Sequence, residues 1–445
     1  MNIGIVGTGY VGIVSGCCFA EEGNSVICYD VDKEKVRSYS NAKSSIYEPG
    51  LEELLGKNIS AKRLSFTGDI TELVNSSEII FICVGTPPME DGTADLSQVE
   101  SAVRTIAENT PQNSYRIIVE KSTVPVGTHR QLKTITKLYN KGKASFDFVV
   151  NSEFLREGSA ISDFMHPDRI VIGVETDRAR DTMLKLYESF NTKKIIVDPS
   201  SAEIIKYASN SFLAMKISYI NMIADLCEKT GGDVEKIADG LGFDGRIGRS
   251  FLDAGIGYGG SCFPKDVKAF ISVMQENLVD CSLIKSIDDY NSIRYKKIIS
   301  ILQDELWILK NKGVAVWGLA FKPETDDIRE APSLKVIREL LDMQVKVSLY
   351  DPRAADNFKR FFPESQNVRY AKTPLDALTN CEALVILTEW DEFKHIEPCD
   401  IYSALALPIV VDGRNIFQAD KMKELEFRYF PIGKGAILRD MRNSK

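Results

Sequence analysis

Residues 3–12 read IGIVGTGYVG, a short apolar run that leads into glycines with the spacing GxGxxG. This pattern predicts a β-strand, a tight turn and the start of a helix, because such glycines let the backbone approach a pyrophosphate at a helix N-terminus. The next apolar run, SVICYD at 25–30, ends in Asp30. An acid there can bind ribose hydroxyls and repels a 2'-phosphate. The stretch therefore predicts a dinucleotide site that favours NAD over NADP.

Further strands are predicted within 77–88 and 115–125, with helical patterns between them. This alternation of strand and helix predicts a parallel sheet whose ligand lies at the carboxyl ends of the strands. Polar or turn residues fall at those ends, namely Thr86, Pro87, Ser122 and Thr123. A hydroxyl at such a position either contacts the ligand or caps a helix, and the sequence alone leaves both roles open.

The same alternation of strand and helix is predicted near the C-terminus. A strand is predicted at 313–321, a helix at 333–343 and a strand at 345–351 that ends in Asp351, but the first turn has no GxGxxG. Lys322 and Arg414 fall at predicted strand ends and are either surface cations or contacts for a different phosphate-bearing ligand. The predicted fold class is α/β, with two Rossmann-like doubly wound parallel-sheet domains joined by a long central helix and a helical domain.

The central helix is predicted over residues 199–229. Ser200 and Glu203 have capping-box spacing at its start. Lys206 and Asn210 are four residues apart and so share one face. The helix carries more apolar surface than one small domain covers, which predicts a connector and a dimer contact. We expect domains at 1–198 (NAD-binding), 199–298 (helical, with the cysteine loop) and 299–445 (the second Rossmann-like domain).

A cysteine on a glycine loop, GYGGSCFPKD at 257–266, raises the question of packing, metal ligation or nucleophilic chemistry. Pro264 suits the first turn of a helix, so Cys262 is expected just before a helix N-terminus, where the helix dipole stabilises a thiolate. A thiolate beside an NAD site suggests addition to an aldehyde, hydride transfer to NAD and hydrolysis of the resulting thioester. That scheme needs a cation for the oxyanions and a carboxylate for proton transfer.

Composition excludes several classes of protein. The 445 residues carry a formal net charge of -8 and have a pI near 5.3, which argues against nucleic acid or an anionic membrane as the partner. Nine cysteines lie mostly in apolar segments without CxxC pairs, and only three histidines are present, so no metal site is expected. The sequence shows neither a signal peptide nor a transmembrane run. We expect a cytoplasmic enzyme with reduced thiols.

An ordered series of motifs resembles the nucleotide-sugar dehydrogenases, the UDP-glucose/GDP-mannose dehydrogenase family, over essentially the whole chain. The motifs are GTGYVG, VGTPP, STVPVGT, NSEFLREG, EIIKYASNSFLAMKISYINMIADLCE, DGRIG, GYGGSCFPKD, GLAFKPETDDIRE and DGRN. The resemblance implies an NAD-binding domain, a helical domain that forms a homodimer, and a UDP-binding domain. It also implies oxidation of C6 of UDP-glucose twice, to UDP-glucuronate, with two NADH formed.

The resemblance further implies residue roles. Catalytic roles fall to Cys262 as nucleophile, Lys206 and Asn210 at the oxyanions, Asp266 in proton transfer, Glu153 or Glu157 in thioester hydrolysis, and Thr123. Cofactor contacts fall to Gly7, Gly9, Tyr10, Val11, Gly12, Asp30, Lys35, Thr86, Pro87, Ser122, Thr123, Glu157, Lys265 and Arg329. Substrate contacts fall to Glu153, Phe154, Leu155, Lys206, Asn210, Phe251, Gly259, Phe321, Lys322, Arg414 and, from the partner subunit, Arg246.

One departure from the family pattern is Ser152, which stands where the family often has proline and removes a fixed φ from the loop before Glu153. Related enzymes act on UDP-N-acetylhexosamines or GDP-mannose by the same chemistry, so the sugar stays open. A one-step hydroxyacid dehydrogenase of the 6-phosphogluconate type would need neither Cys262 nor the second Rossmann-like half. A non-catalytic nucleotide-sugar sensor would be expected to lack Cys262 or Lys206.

Overall fold

The computed structural model describes residues 1–89, 91–140 and 144–438. They fall into two units. The N-terminal unit comprises Met1–Ser209 and Lys268–Asp280, and the C-terminal unit comprises Asn210–Val267 and the described residues from Cys281 onward. No helix in these described ranges combines the length and apolar character needed to cross a membrane.

An eight-stranded sheet forms the centre of the N-terminal unit. Its strands are β1 (Asn2–Val6), β2 (Ser25–Tyr29), β3 (Leu64–Thr67), β4 (Ile79–Ile82), β5 (Tyr115–Glu120), β6 (Ser145–Val150), β7 (Arg169–Gly173) and β8 (Lys193–Val197). The order is β3-β2-β1-β4-β5-β6-β7-β8. All neighbours pair in parallel except β6 and β7, which meet antiparallel at Val150 and Gly173 alone. At this one junction a loop and a six-residue helix connect the strands, and the predicted parallel-sheet domain is otherwise confirmed.

Helices cover both faces of this sheet. They are α1 (Tyr10–Glu21), α2 (Lys33–Ser40), α3 (Leu51–Ser60), α4 (Ile70–Ser76), α5 (Ser97–Asn109), α6 (Thr128–Tyr139), α7 (Ala160–Met165) and α8 (Asp177–Leu186). Successive residues of β4 enter two different apolar clusters, Ile79 and Phe81 one cluster, Ile80 and Ile82 the other. Because side chains alternate across a strand, this division shows that the sheet is buried on both sides.

The long central helix α9 spans Pro199–Thr230 and runs from the first unit into the second. The predicted capping box at its start is wrong. Asp198, not Ser200, caps the helix, with its carboxylate accepting a hydrogen bond from the Ser201 backbone N–H at 2.9 Å. Glu203 instead accepts hydrogen bonds from the backbone N–H groups of Gly127 and His129. Asp198 is a favourable N-cap residue and satisfies the start of the helix. Glu203 is therefore free to bind the turn before α6.

The C-terminal unit contains a six-stranded sheet with the strands β9 (Gly313–Trp317), β10 (Lys346–Tyr350), β11 (Val368–Tyr370), β12 (Ala383–Ile386), β13 (Ile409–Asp412) and β14 (Arg428–Pro431). The order is β11-β10-β9-β12-β13-β14, and every pairing is parallel. The remaining helices are α10 (Val234–Gly242), α11 (Phe263–Glu276), α12 (Ser282–Ile293), α13 (Lys296–Leu306), α14 (Pro332–Asp342), α15 (Ala355–Lys359), α16 (Pro374–Ala377), α17 (Asp391–Lys394), α18 (Pro398–Ala404) and α19 (Ala419–Glu424).

Two Rossmann-like α/β domains with a long central helix are thus confirmed. The first strand of each sheet has the same local structure. It is a buried strand followed by a turn at a glycine with positive φ, Gly7 at 93° in the first sheet and Gly318 at 91° in the second. A side chain at Gly318 would place Cβ 2.4 Å from Thr388. Only glycine tolerates both that φ and that crowding.

Candidate active site

The turn after β1 forms an anion cradle. A Cβ at Gly12 would lie 1.9 Å from the Gly7 carbonyl oxygen, so helix α1 packs directly on the turn. A Cβ at Gly9 would meet no atom within 4 Å, which leaves the tip of the turn open. Gly9 is also the N-cap of α1, and no side chain caps that helix. Uncapped N–H groups at the positive end of the helix dipole therefore face open space, as a pyrophosphate requires.

Asp30 stands directly after β2 beside this turn. Its Oδ2 accepts hydrogen bonds from the backbone N–H of Thr8 at 2.8 Å and from the Thr8 hydroxyl at 2.6 Å, and its Oδ1 accepts one from the Asp32 N–H. Burial acts to raise the pKa of Asp30, but these hydrogen bonds outweigh it and hold the pKa below its ordinary value. The group is a carboxylate with one acceptor position left, since a carboxylate offers about four.

The matching acid of the second sheet, Asp351, is arranged differently. Its Oδ2 accepts hydrogen bonds from the backbone N–H groups of Leu319 and Ala320 and from the indole N–H of Trp390, and its Oδ1 accepts two more from Arg353 and Ala354. This carboxylate is fully used by its own chain. The second sheet therefore lacks a free acid as well as the GxGxxG turn, in agreement with a different ligand at this domain.

Several predicted cofactor residues bind neighbouring loops of the protein. The Tyr10 hydroxyl donates a hydrogen bond to Glu48 and accepts one from the Gly158 N–H at 2.8 Å. This contact ties the glycine turn to the segment that carries Glu157. The Thr86 hydroxyl donates to the carbonyl of Thr123 at 2.9 Å. Ser122 donates in the same way to a backbone carbonyl of the β4 end. These two hydroxyls stabilise strand ends and do not cap helices.

Glu153 and Lys206 form a buried pair in the N-terminal unit. Lys206 Nζ lies 3.0 Å from Glu153 Oε1 and 2.7 Å from the Glu153 carbonyl oxygen. Burial acts to raise the pKa of Glu153, but the charge of Lys206, the hydrogen bond from the Leu155 N–H and the charge of Lys121 outweigh it, so the pKa lies below its ordinary value. The aromatic ring of Phe154 lies 5.3 Å from the same ammonium.

Lys121, which follows β5 directly and precedes the predicted Ser122 and Thr123, is a buried residue that was not predicted from the sequence. Its side chain is only 4% exposed. Its Nζ lies 3.4 Å from the side-chain oxygen of Asn151 and 3.5 Å from the Asn151 carbonyl oxygen. A lysine that continues an apolar strand run, IIVEK, was the available signal, because a charged residue at a buried strand end needs a partner.

Cys262 immediately precedes α11, and its carbonyl oxygen accepts a hydrogen bond from the Asp266 N–H at 2.8 Å. The predicted helix start after the cysteine is therefore confirmed. The hydroxyl of Ser261 lies 3.5 Å from Cys262 Sγ. The carboxylate of Asp266 is buried in the first turn, where it accepts a hydrogen bond from Asn210 Nδ2 at 2.6 Å and pairs with Lys265 Nζ at 2.6 Å.

The glycines before Cys262 are required by packing within the C-terminal unit. A Cβ at Gly259 would lie 2.5 Å from the Glu330 carbonyl oxygen, and a Cβ at Gly260 would lie 2.7 Å from the ring of Phe321. The Gly260 N–H also donates to the Arg329 carbonyl at 2.9 Å. The loop that carries Cys262 is thus held flat against the GLAFKPETDDIRE segment, which brings Phe321 beside it.

Arg414 is fixed by the end of β13. Buried Asp412 accepts hydrogen bonds from the backbone N–H groups of Arg414 and Ile416 and from the Tyr429 hydroxyl. The Arg414 side chain donates to the Leu387 carbonyl at 2.9 Å, so one edge of its guanidinium is held in place. Lys322 Nζ lies 5.6 Å from the ring centroid of its neighbour Phe321.

Other predicted residues lie at the surface. The Arg246 side chain is 90% exposed and pairs with Asp244, while the Arg329 side chain is 64% exposed and pairs with Asp327. Lys35 is half-buried in the first turn of α2. Phe251 has a φ of 65°, which is rare for a bulky side chain, and its ring centroid lies 6.1 Å from that of Phe263.

The structure therefore brings the predicted residues together in two groups. The first, in the N-terminal unit, joins Glu153 to Lys206 beside Phe154 and Leu155. The second group lies in the C-terminal unit. It joins Asn210 of α9 to Lys265 and Asp266, which lie in the first turn of α11 after Cys262. Lys206 and Asn210 lie one turn apart on α9, which contributes one residue to each group.

Three family models match successive parts of the chain. Residues 1–191 match the NAD binding domain of the UDP-glucose/GDP-mannose dehydrogenase family, residues 200–293 its central domain and residues 315–419 its UDP binding domain. The chain belongs to this family of dehydrogenases. The resemblance predicted from the motifs is confirmed.

Curated relatives of this dehydrogenase extend along nearly its whole length. UDP-glucose 6-dehydrogenase TuaD of Bacillus subtilis (strain 168) is 44% identical over 98% of this chain and 94% of its own. UDP-glucose 6-dehydrogenase of Rhizobium meliloti (strain 1021) is 42% identical over 98% of this chain and 100% of its own.

A solved structure shares the fold throughout. A UDP-glucose dehydrogenase from the archaeon Pyrobaculum islandicum superposes with a TM-score of 0.89 at 36% identity and covers 98% of this chain and 97% of its own. A UDP-D-ManNAc dehydrogenase from Pyrococcus horikoshii has a TM-score of 0.83 at 26% identity, over 98% of this chain and 100% of its own. The dehydrogenase described here is an NAD-dependent oxidoreductase with a domain for the UDP moiety of a nucleotide sugar, as predicted.

Proposed function

We propose that this dehydrogenase oxidises the C6 hydroxyl of UDP-glucose to the carboxylate of UDP-glucuronate, through a thiohemiacetal and a thioester on Cys262. NAD accepts one hydride in each of two oxidations, so each sugar consumes two NAD⁺ and one water and yields two NADH. The name UDP-glucose 6-dehydrogenase on full-length relatives at 40–44% identity supports this substrate.

The observation that carries the proposal is the arrangement around Cys262. The cysteine lies at the N-terminus of the 14-residue helix α11, where the helix dipole favours a thiolate. A thiolate there adds to the C6 aldehyde, so that a C–S bond forms and the carbonyl oxygen becomes an oxyanion. Asp266 lies in the first turn of α11, and its carboxylate accepts a hydrogen bond at 2.6 Å from the amide of Asn210 on α9, which orients that amide.

Asn210 and Asp266 have separate roles in the proposed mechanism. The amide of Asn210 has a second N–H group that can donate to the oxyanion, and donors aimed at a developing oxyanion contribute most to catalysis. The Asp266 carboxylate passes a proton through water, as a buried acceptor held by Lys265 on its other oxygen. The pair is preorganised because each partner is fixed before a substrate binds.

Lys206 and Glu153 complete the proposed chemistry. Lys206 stabilises the alkoxide of the first oxidation and the thiohemiacetal oxyanion. Glu153 is ionised, and its carboxylate activates the water that attacks the thioester, which breaks the C–S bond and releases the acid. While Lys206 binds Glu153 it weakens this base, so transfer of the ammonium to the substrate oxyanion raises the base strength of Glu153 when it is needed. Glu157 and Thr123 are proposed as supporting contacts.

In the C-terminal unit, Arg414 and Lys322 are proposed to bind the diphosphate. Arg414 is held by the turn at Asp412, and a positioned guanidinium matches the geometry of phosphate oxygens. Phe321 lies against Gly260 in the loop that carries Cys262, so Phe321 and Gly259 of that loop are proposed to border the sugar.

We also propose that the enzyme is at least a homodimer. Four large apolar side chains of α9, at helical spacing on one face, are 46–57% exposed in the single chain, namely Phe212, Tyr219, Met222 and Leu226. An apolar stripe of this kind marks an interface. Arg246, with its exposed side chain, is proposed to reach the nucleotide sugar of the partner subunit.

The matched domains at 1–191, 200–293 and 315–419 support our domain boundaries of 1–198, 199–298 and 299–445, which remain predictions. The last seven residues of the third domain, 439–445, lie outside the described residues. Cytoplasmic location likewise stays a prediction.

The experiment that tests the substrate is a panel of UDP-glucose, UDP-N-acetylglucosamine, UDP-N-acetylmannosamine and GDP-mannose, with NADH counted against sugar consumed. We expect the highest kcat/KM and two NADH per sugar with UDP-glucose. The alternative of an N-acetyl sugar is favoured by the name of the Pyrococcus horikoshii relative, which is 26% identical. A higher kcat/KM with a UDP-N-acetyl sugar overturns the assignment of UDP-glucose, and one NADH per sugar overturns the two-step chemistry.

A further inference from the structure

Lys121 is a buried lysine that the proposed chemistry does not use. Its ammonium lies 5.9 Å from the ring centroid of Phe81 and 5.7 Å from that of Phe164. Its contacts with Asn151, at 3.4 and 3.5 Å, are long for hydrogen bonds to a charged donor. A buried ammonium with such contacts is expensive, since burial of a charge costs several kcal/mol. Packing alone would be served better by a methionine.

We propose that Lys121 is a positioning residue that keeps Glu153 ionised while Lys206 is engaged with the substrate oxyanion. This inference rests on the proposed role of Glu153 in hydrolysis of the Cys262 thioester. Lys121 does not touch the substrate in this scheme. It acts through the carboxylate of Glu153.

Lys121 contacts the segment that carries Glu153. Asn151, which holds the Lys121 ammonium, begins the NSEF segment and lies two residues before Glu153. Asn151 is itself fixed by three hydrogen bonds: its side-chain amide donates to the Val171 carbonyl at 2.8 Å, its side-chain oxygen accepts the Tyr187 hydroxyl at 2.6 Å, and its N–H donates to the Glu120 carbonyl at 2.9 Å. Lys121 is therefore attached to a rigid end of the segment that carries the base.

Two lysines act on the charge of Glu153. The ionisable groups that act on Glu153 are Lys206 from α9, Lys121 from the end of β5 and the thiol of Cys83 from the end of β4. Burial lowers the pKa of Lys121, the charges of Cys83 and Glu153 act to raise it, and Lys206 acts to lower it. Burial raises the pKa of Cys83 to about 12, so this thiol is neutral near pH 7. Two cations thus share one carboxylate.

Lys121 is needed when Lys206 is engaged with the substrate oxyanion. When Lys206 turns to the oxyanion, Glu153 loses its nearest cation and a hydrogen bond, and burial would then favour its protonated form. A protonated Glu153 cannot take a proton from water. Lys121 is held by Asn151 and by two aromatic rings, so it stays in place when Lys206 moves. The second cation separates stabilisation of the oxyanion from ionisation of the base.

The test uses the full-length enzyme and the variants Lys121→Met and Lys121→Gln. Both remove the charge, and Gln keeps a hydrogen bond to Asn151. The enzyme turns over UDP-glucose and NAD between pH 4.5 and 8, is quenched with acid, and the acyl adduct on Cys262 is measured by intact mass. The rate of adduct hydrolysis falls at low pH where Glu153 becomes protonated, and this part of the pH–rate profile is called the acid limb. We expect the acid limb to move up by about one pH unit in both variants, which makes hydrolysis about tenfold slower at pH values well below the limb.

The matched control is Tyr187→Phe. This variant removes the other hydrogen bond to the same oxygen of Asn151 without changing the charge near Glu153. A purely structural role of the Asn151 cluster would move the acid limb in this variant as well. We expect the control to melt at a lower temperature and to keep the wild-type acid limb.

The outcomes separate this inference from the proposed function. If Glu153→Gln accumulates the adduct but the Lys121 variants keep the wild-type limb, the role of Lys121 is wrong and the proposed function stands. A limb that moves equally in Tyr187→Phe overturns it too. If no protein, Glu153→Gln included, forms an adduct, the proposed function fails and Lys121 has no such role. Should the Lys121 variants not fold, a wild-type limb above about 5 overturns the inference, because the ordinary pKa of glutamate is about 4.3.

Discussion

Lys206 binds both ends of the same residue: its ammonium donates to the Glu153 carbonyl oxygen at 2.7 Å and to the Glu153 carboxylate at 3.0 Å. The first contact fixes the backbone of the NSEF segment, and the second places a cation on its carboxylate. The pair therefore serves the stability of the fold as well as the chemistry proposed for it, and these two roles can be separated by substitution.

Lys206→Met is expected to lower both the catalytic rate and the free energy of unfolding. Loss of an oxyanion-stabilising donor lowers kcat by about 10²–10³. The free energy of unfolding falls by about 3–5 kcal/mol because the buried carboxylate of Glu153 loses its partner. The double variant Lys206→Met with Glu153→Gln should recover most of the stability and none of the activity. Urea unfolding and NADH formation measure the two effects, and a single variant as stable as the wild type contradicts the buried pair.

Cofactor preference is expected to depend on Asp30. A 2'-phosphate would meet this carboxylate at close range, so kcat/KM should strongly favour NAD over NADP. In Asp30→Asn the ratio should shift toward NADP by about tenfold or more, because a like-charge repulsion worth several kcal/mol is removed.

The control for this prediction is Asp351→Asn, at the matching strand end of the second sheet. Its carboxylate accepts hydrogen bonds from its own chain. We expect this variant to be less stable and to keep the wild-type ratio of NAD to NADP use. Comparable kcat/KM values for both cofactors in the wild type would show that Asp30 does not set the preference.

The parts of the fold that sequence predicts are those set by local rules. The strand, turn and helix at residues 3–12 follow from glycine spacing, since φ and crowding at Gly7 and Gly12 exclude other residues. The start of α11 after Cys262 follows from a proline in the first turn. Both signals act within a few residues, so one sequence is enough to read them.

What sequence did not predict depends on partners far along the chain. The run IIVEK marks Lys121 as a charge at the end of a strand, but its partners Asn151, Phe81 and Phe164 are brought to it only by the fold. The capping box failed because Glu203 has a stronger use for its carboxylate at Gly127 and His129. Where a residue has two possible local roles, tertiary contacts select one of them, and the spacing of residues along the chain does not predict those contacts.

Assembly is expected to fail when charge is placed on the apolar face of α9. Phe212→Glu with Leu226→Glu puts two carboxylates among the exposed side chains and should give monomers in sedimentation, with kcat/KM reduced if Arg246 acts across the interface. The control is Trp307→Glu, a surface tryptophan that is 88% exposed after α13, which should leave the dimer intact. A fully active monomer would contradict both the dimer and the role of Arg246.

The nucleophile is tested by Cys262→Ala. Without the thiol the aldehyde cannot become a thiohemiacetal, so release of the acid should fall by several orders of magnitude, as for other covalent nucleophiles. The first oxidation depends on Lys206 and Asp266, so substrate binding should stay close to that of the wild type. Isothermal titration with UDP-glucose and the count of NADH per sugar measure these two quantities separately.

Cys262→Ser sharpens the same test, because a hydroxyl at the helix N-terminus can still add to the aldehyde. Its second oxidation leaves an ester, which water hydrolyses more slowly than a thioester, so a covalent adduct should be trapped and weighed by intact mass. Cys281→Ser, which alters a buried cysteine elsewhere in the C-terminal unit, should trap none. If Cys262→Ala forms the acid at a near wild-type rate with two NADH per sugar, water is the nucleophile, and the position of Cys262 before α11 reflects packing alone.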